Sequence, residues 1–302
     1  MALISIPDVR ERVGAAIFHK VAGPEGPERR ERFHGREGER WFPAGSPIHV
    51  VHGDASMFIG GLRALMYQAL HPVAMTAVAE HSGYRGDMWG RLARTSTFLA
   101  ATTFATASDA QASVDVVRRI HDRITGTMPD GTPYIASDPH LLMWVHVAEI
   151  DSFLRAHVRY GKHKLDQAGR DEYVAQTAFV AEKLGVVDAP RTEAELAAVL
   201  ESYRPELRGT DHAHEAISHL VWHPDLPVAV RPAYLVIAAA AIAMMPGWTR
   251  RELRLPRLPV TERTGVRVLG ALATGTIRWA MTPPTDDGEE AVPAAPSHPA
   301  AR

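Results

Sequence analysis

The 302-residue chain contains no cysteine. That absence excludes a disulfide framework, a thiolate metal site, Cys-x-x-Cys-His haem attachment and a thiolate-ligated haem, so any iron must rest on His, Tyr, Met or carboxylates. Charge of one sign is also lacking: 33 Lys and Arg stand against 35 Asp and Glu. A net charge near zero gives no reason to expect nucleic acid or an anionic membrane as a partner. Long hydrophobic runs are missing too. The longest, Ala233 to Met245, spans about thirteen residues where a membrane-spanning helix needs roughly twenty, and it reads as a core helix. The N-terminus mixes charges early (Asp8, Arg10, Glu11, Arg12) without the apolar segment of a signal peptide, so a cytoplasmic protein without a transmembrane segment is expected.

What the chain does have is helical period almost throughout. Alternating β-branched runs and fixed-period repeats are not seen, which predicts an all-α fold. A short helix is expected over about Asp8 to Lys20, then a long Gly, Pro, Arg and Glu-rich loop from Gly23 to Gly45. Asp54 reads as the cap of a helix to about Leu70, and Pro72 suits the first turn of one ending near Glu80. Further helices are predicted over Asp87–Ala105, over Asp109 to about Thr125 behind Ser108, and from Asp138 through Arg159 to a stop at Gly161. Others follow at Asp166–Leu184, Thr192–Tyr203, Asp211–Trp222, Pro232–Met245 and Thr261–Met281. Residues 1–281 form one domain in this reading, and 282–302, rich in Pro, Ala and acidic residues, form a disordered tail.

Polar residues inside these apolar stretches carry the chemistry. Arg91, Thr95, Phe98 and Thr102 follow i, i+4, i+7, i+11 spacing and share one helix face, with Arg94 beside them. A guanidinium and a hydroxyl one turn apart suit an anionic or polarised ligand; the bland alternative is an ion pair of Arg91 or Arg94 with Asp87 or Glu80. On the next helix, Ala110, Val114, Val117, His121 and Ile124 form an apolar stripe, and a histidine there is either a ligand or a hydrogen-bonded core residue. His146 lies between Leu142 and Phe153 with Glu149 one turn on, a pair that reads as second-shell or as a satisfied buried couple. His71, before Pro72, caps or spaces a helix junction. His214 and His219 are one residue too far apart for the zinc-protease motif, so the cluster around them is set aside.

The segments GGLRALMYQALHP (60–72), EHS (80–82), WGRLART (89–95), RRIH (118–121) and DPHLLMWVH (138–146), followed by LG (184–185), RP (231–232) and PGWTR (246–250), stand in a telling order. Together they make the chain, over roughly residues 10 to 280, resemble the oxygenase MpaB and latex clearing protein (rubber oxygenase) catalytic-domain family. The resemblance implies a globin-like all-α domain around non-covalent haem b. It places the proximal iron ligand on His121, through Nε2, with the ring's own hydrogen bond tuning the iron. Arg91 and Thr95 fall on the distal pair, and Glu80 is the nearest counterpart of the catalytic base. Rubber oxygenases carry a lysine immediately before the distal threonine; Arg94 stands there, and a guanidinium stays protonated, so the sixth iron position is left to water or dioxygen. Phe98, His146 and apolar neighbours would line the cofactor and a channel for an apolar, isoprenoid or lipid-like substrate. A non-catalytic haem-binding or haem-sensing protein, and a cofactor-free helical protein retaining the fold, are the other readings. Substrate, products and oligomeric state are not encoded legibly.

Overall fold

A computed structural model describes residues 10, 14–15, 18–19, 22–83, 86–257 and 262–282. The expected Asp8–Lys20 helix falls mostly outside these residues, as does nearly all of the expected disordered tail. Within them the chain is a bundle of helices: α1 (Gly26–Gly35), α2 (Pro47–His52), α3 (Met57–Gln68), α4 (Pro72–His81), α5 (Met88–Phe104) and α6 (Ala107–His121). A two-stranded antiparallel hairpin, β1 (Thr125–Thr127) and β2 (Pro133–Ile135), comes next. Then follow α7 (Pro139–Tyr160), α8 (Gln167–Leu184), α9 (Glu193–Ser202), α10 (Asp211–Ile217), α11 (Arg231–Ala243), α12 (Gly247–Glu252) and α13 (Arg267–Met281). The all-α expectation holds, with the small hairpin as its one addition.

Local chemistry starts and stops most of these helices where the sequence indicates. Asp87, Asp138, Asp166 and Thr192 each accept a backbone N–H from the first turn they precede. Gly185 closes α8 at φ 112°, a left-handed conformation that a side chain would strain. The cap of α6 is Thr106 rather than Ser108, its hydroxyl accepting from Asp109 N, and the helix ends at His121, four residues early. Residues 125–127 instead pair with 133–135, where Gly126 lies directly against the Tyr134 ring and leaves no room for a Cβ. Asp54 does not cap α3. Its carboxylate holds Ser56 N at 2.8 Å and takes Arg278 of α13 in an ion pair.

The expected loop over Gly23–Gly45 contains a helix, α1. Its sequence is polar almost all round, so propensity alone gives little signal. Phe33, its single buried apolar residue, packs on Ala101 of α5 and on Ala105 just beyond its end, and that contact supplies what the local sequence lacks.

The core runs along α3 and α7, which lie side by side. Gly60 makes their approach close: a Cβ there would stand 3.1 Å from Phe153 Cα and 3.2 Å from Ala156 Cβ. Trp144, Val147, Ala148 and Leu154 of α7 meet Ile59, Met66 and Leu70, all essentially without exposure. α11 covers the other side of α3, while α2 and α8 pack on α7, α5 on α2 and α6 on α8. No described helix is long and apolar enough to cross a membrane.

Candidate active site

α5 and α6 form an antiparallel hairpin joined by Ala105 and Thr106. With equal rises of about 1.5 Å per residue on both arms, position 121 falls level with about residue 90. A fully antiparallel pairing would set His121, at the end of α6, opposite the start of α5, where Arg91 stands. The stripe below it is buried as the periodicity predicts, Ala110 and Val114 being almost fully enclosed.

His121 itself is half-buried. Neither ring nitrogen has a hydrogen-bond partner among the described residues, and Nδ1 is fully enclosed. The hydrogen bond expected on that ring is thus not present. Burial lowers its pKa, with the Asp122 carboxylate acting weakly against that, so the imidazole favours its neutral, ligand-competent form.

On α5 the four-residue face grades from open to closed. Arg91 is half-buried, Thr95 exposed, Phe98 half-buried and Thr102 buried. Thr95 Oγ1 donates to the Arg91 carbonyl at 3.2 Å, a bond to its own helix that leaves its lone pairs open. Arg94 is exposed and takes the bland option, pairing with Asp87 at 3.4 Å. An exposed pair of this kind contributes little stability.

Glu80, at the end of α4, is half-exposed and engaged by Tyr134 of β2, whose hydroxyl donates to Oε2 at 2.5 Å. His81 Nε2 lies 3.3 Å from the same hydroxyl. Desolvation, and then this bond to the Glu80 carboxylate, raise the Tyr134 pKa to about 12, so the phenol remains a donor at all ordinary pH.

The interior beside α7 holds more polar groups than the sequence led us to expect. His146 is buried, its Nε2 is without a partner, and desolvation lowers its pKa to about 4. Glu149 shares its face one turn on, yet the two do not hydrogen-bond, which overturns the satisfied-couple reading. Desolvation alone raises the Glu149 pKa to about 7. Across from it, His52 Nε2 lies 3.1 Å from the Tyr173 hydroxyl and His52 Nδ1 lies 2.8 Å from Thr103 Oγ1. The Glu149 carboxylate and burial together raise the Tyr173 pKa. Glu149 and His52 are deep enough for burial to dominate their ionisation, but both keep some accessible surface.

Unpartnered imidazoles on α6 and α7, a carboxyl whose pKa burial raises to about 7 and a guanidinium–hydroxyl pair on α5 are the groups whose chemistry suits a cation-bearing ligand and proton transfer. Buried polar atoms without partners carry a free-energy cost, and they recur where a ligand is meant to meet them. Glu149 was visible in the sequence only as a neighbour of His146; its isolation depends on what α8 and α2 bring, which spacing cannot show. A shallow hollow of about 440 Å³ bounded by Phe18, Pro27, Arg30, Glu31 and His34 shares none of these groups and opens to solvent. The enclosed, unsatisfied side chains mark the site better than that surface concavity.

An all-α domain with such an interior is an oxygenase-type catalytic domain by its relationships. Residues 49–279 match the family described as ER-bound oxygenase mpaB/B'/Rubber oxygenase, catalytic domain, and the chain belongs to that family. No curated protein and no solved structure matches the chain.

Proposed function

We propose that this protein is a haem b-dependent oxygenase acting on an apolar, isoprenoid or lipid-like substrate. The observation that carries the reading is the His121 ring: half-buried, without a hydrogen-bond partner among the described residues, and favoured in its neutral form by burial. The donor set fits the group, since a neutral imidazole is a usual axial ligand and thiolate is unavailable in this chain.

Bound haem supplies the iron at which dioxygen is activated. The chain's own part is positioning and charge. His121 Nε2 would hold the iron. The Arg91 guanidinium would supply N–H donors favouring negative charge that develops on oxygen, and Thr95 would join it by turning its hydroxyl from the Arg91 carbonyl. Arg94, paired with Asp87 and always protonated, does not compete as a ligand. Phe98 and Leu99, half-buried on α5, offer apolar surface to a greasy substrate. Glu80, oriented by Tyr134, is the proton-handling carboxylate in this reading, and Glu149 is the second group able to hold a proton near neutral pH.

The absorption spectrum of the purified protein tests the cofactor. A Soret band is expected; its absence from haem-reconstituted protein would leave a cofactor-free helical domain. Dioxygen consumption with an unsaturated terpenoid then separates an oxygenase from a haem-binding or sensing protein.

A further inference from the structure

Outside the α5–α6 hairpin, three residues from distant parts of the chain meet: His71 at the junction of α3 and α4, His140 in the first turn of α7, and Glu206 in the single turn after α9. One donor atom from each lies within 4.8 Å of the other two. We propose that they form a binding site for a first-row divalent cation, zinc by ligand type, with the remaining coordination filled by water.

The proton arrangement argues for it. Tyr203 Oη donates to the His140 carbonyl at 2.8 Å, so the hydroxyl's lone pairs are free to accept from His140 Nδ1 at 3.2 Å in the tautomer that carries its hydrogen there. Nε2 is then left with its lone pair. It points at both Glu206 carboxylate oxygens, at 3.0 and 2.9 Å. Two lone-pair atoms at that separation need a positive centre between them or a second proton on the ring. A Tyr acceptor on Nδ1 is also the outer contact that fixes a metal-bound histidine's tautomer. The same phenol stacks on the imidazole, centroids 4.6 Å apart, and holds its plane.

His71 gives the independent observation. The side chain is 3% exposed, its Nε2 is buried without a hydrogen-bond partner, and that atom lies 3.4 Å from Glu206 Oε2. Its Nδ1 lies beside the Ala74 N–H and its own carbonyl, so the ring finds a local partner in either tautomer. A tetrahedral ion with bonds of about 2.0–2.2 Å wants donors about 3.3 Å apart, which the 2.9 and 3.4 Å separations bracket. His140 and Glu206 are about half-exposed, which gives an ion its entry path. Two imidazoles and one carboxylate suit zinc better than the harder magnesium or calcium. A bound ion would clip the α3–α4 junction to α7 and to the segment after α9, which already ties back through Arg208 N to the Leu70 carbonyl.

Tag-free, EDTA-stripped full-length protein titrated with Zn²⁺ by calorimetry, and with Co²⁺ by visible absorption, tests this. One equivalent is expected to bind, with cobalt d–d bands of low-symmetry His/carboxylate ligation. His140→Ala and Glu206→Gln, both at half-exposed positions, abolish that equivalent while far-ultraviolet dichroism stays unchanged. Tyr203→Phe keeps the stoichiometry and weakens binding about tenfold, since it removes only the outer contact. His212→Ala, in the other histidine cluster, leaves the titration as in the wild type. Failure of the folded wild type to take up either ion, or uptake unaltered in both His140→Ala and Glu206→Gln, overturns the proposal and leaves a protonated His140–Glu206 pair. None of these readouts depends on haem.

Discussion

Arg63 of α3 and Asp151 of α7 face each other at 2.8 Å, with side chains only 2% and 6% exposed, and so pin the two central helices in register. The guanidinium is otherwise satisfied by Ser152 Oγ at 2.7 Å and the Met244 carbonyl at 3.3 Å. A fully used buried charge tolerates the loss of its counterion badly. Asp151→Ala is expected to cost about 3–5 kcal/mol, because the Arg63 charge is then stranded. Urea unfolding should show a lower midpoint at unchanged slope; a loss below about 1 kcal/mol would mean that water reaches the pair.

His121, half-buried, and His146, buried, both have unpartnered ring nitrogens and pKa values lowered by burial, and substitution tells them apart. His121→Ala is expected to abolish the Soret band of reconstituted protein and His146→Ala to keep it, with added imidazole restoring it in the former. The reverse pattern would move the iron to α7.

Tyr134 fixes the orientation of Glu80 without touching α5 chemistry. Glu80→Gln should lower kcat by about a hundredfold or more if that carboxylate handles protons, as general acid–base groups typically contribute. Tyr134→Phe keeps the ring against Gly126 and should lower kcat much less. Unchanged turnover in Glu80→Gln, together with a large loss in Glu149→Gln, would transfer the role to the buried carboxyl.

Glu149 also makes a thermodynamic prediction for the haem-free protein. Its folded pKa of about 7 lies above the ordinary carboxylate value, so the folded state binds more protons between about pH 4.5 and 7, and stability falls as pH rises through that window. His146, lowered to about 4, works oppositely: the unfolded state binds more protons between about 4 and 6.5, and stability rises there. The two slopes largely offset one another in the wild type. Glu149→Gln removes one, so the variant's stability relative to wild type should increase from pH 4.5 to 8, by up to about 3 kcal/mol. A flat difference across that range would show that the carboxyl is hydrated.

Helix starts were legible because capping is a contact between neighbours: Asp87, Asp138, Asp166 and Thr192 act within three residues of themselves, and Gly185 acts through its own φ. The stripe leading to His121 and the face holding Arg91 and Thr95 follow from 3.6-residue periodicity alone, and the family was readable from the order of its short segments. Helix α1 was not legible, because Phe33 earns its place only when Ala101 and Ala105 arrive from about seventy residues on. Nor was the 125–135 hairpin, whose three-residue strands are too short to alternate visibly and whose register depends on Gly126 accepting the Tyr134 ring.

The sequence by itself determined which residues lie along each helix face and which ends are capped, since those are interactions between positions a few residues apart. Tertiary structure alone decided that His146 and Glu149 go unpaired, that Tyr134 takes Glu80, and that His71, His140 and Glu206 converge. Each of these depends on which distant side chain reaches a given atom, and helical periodicity carries no information about that.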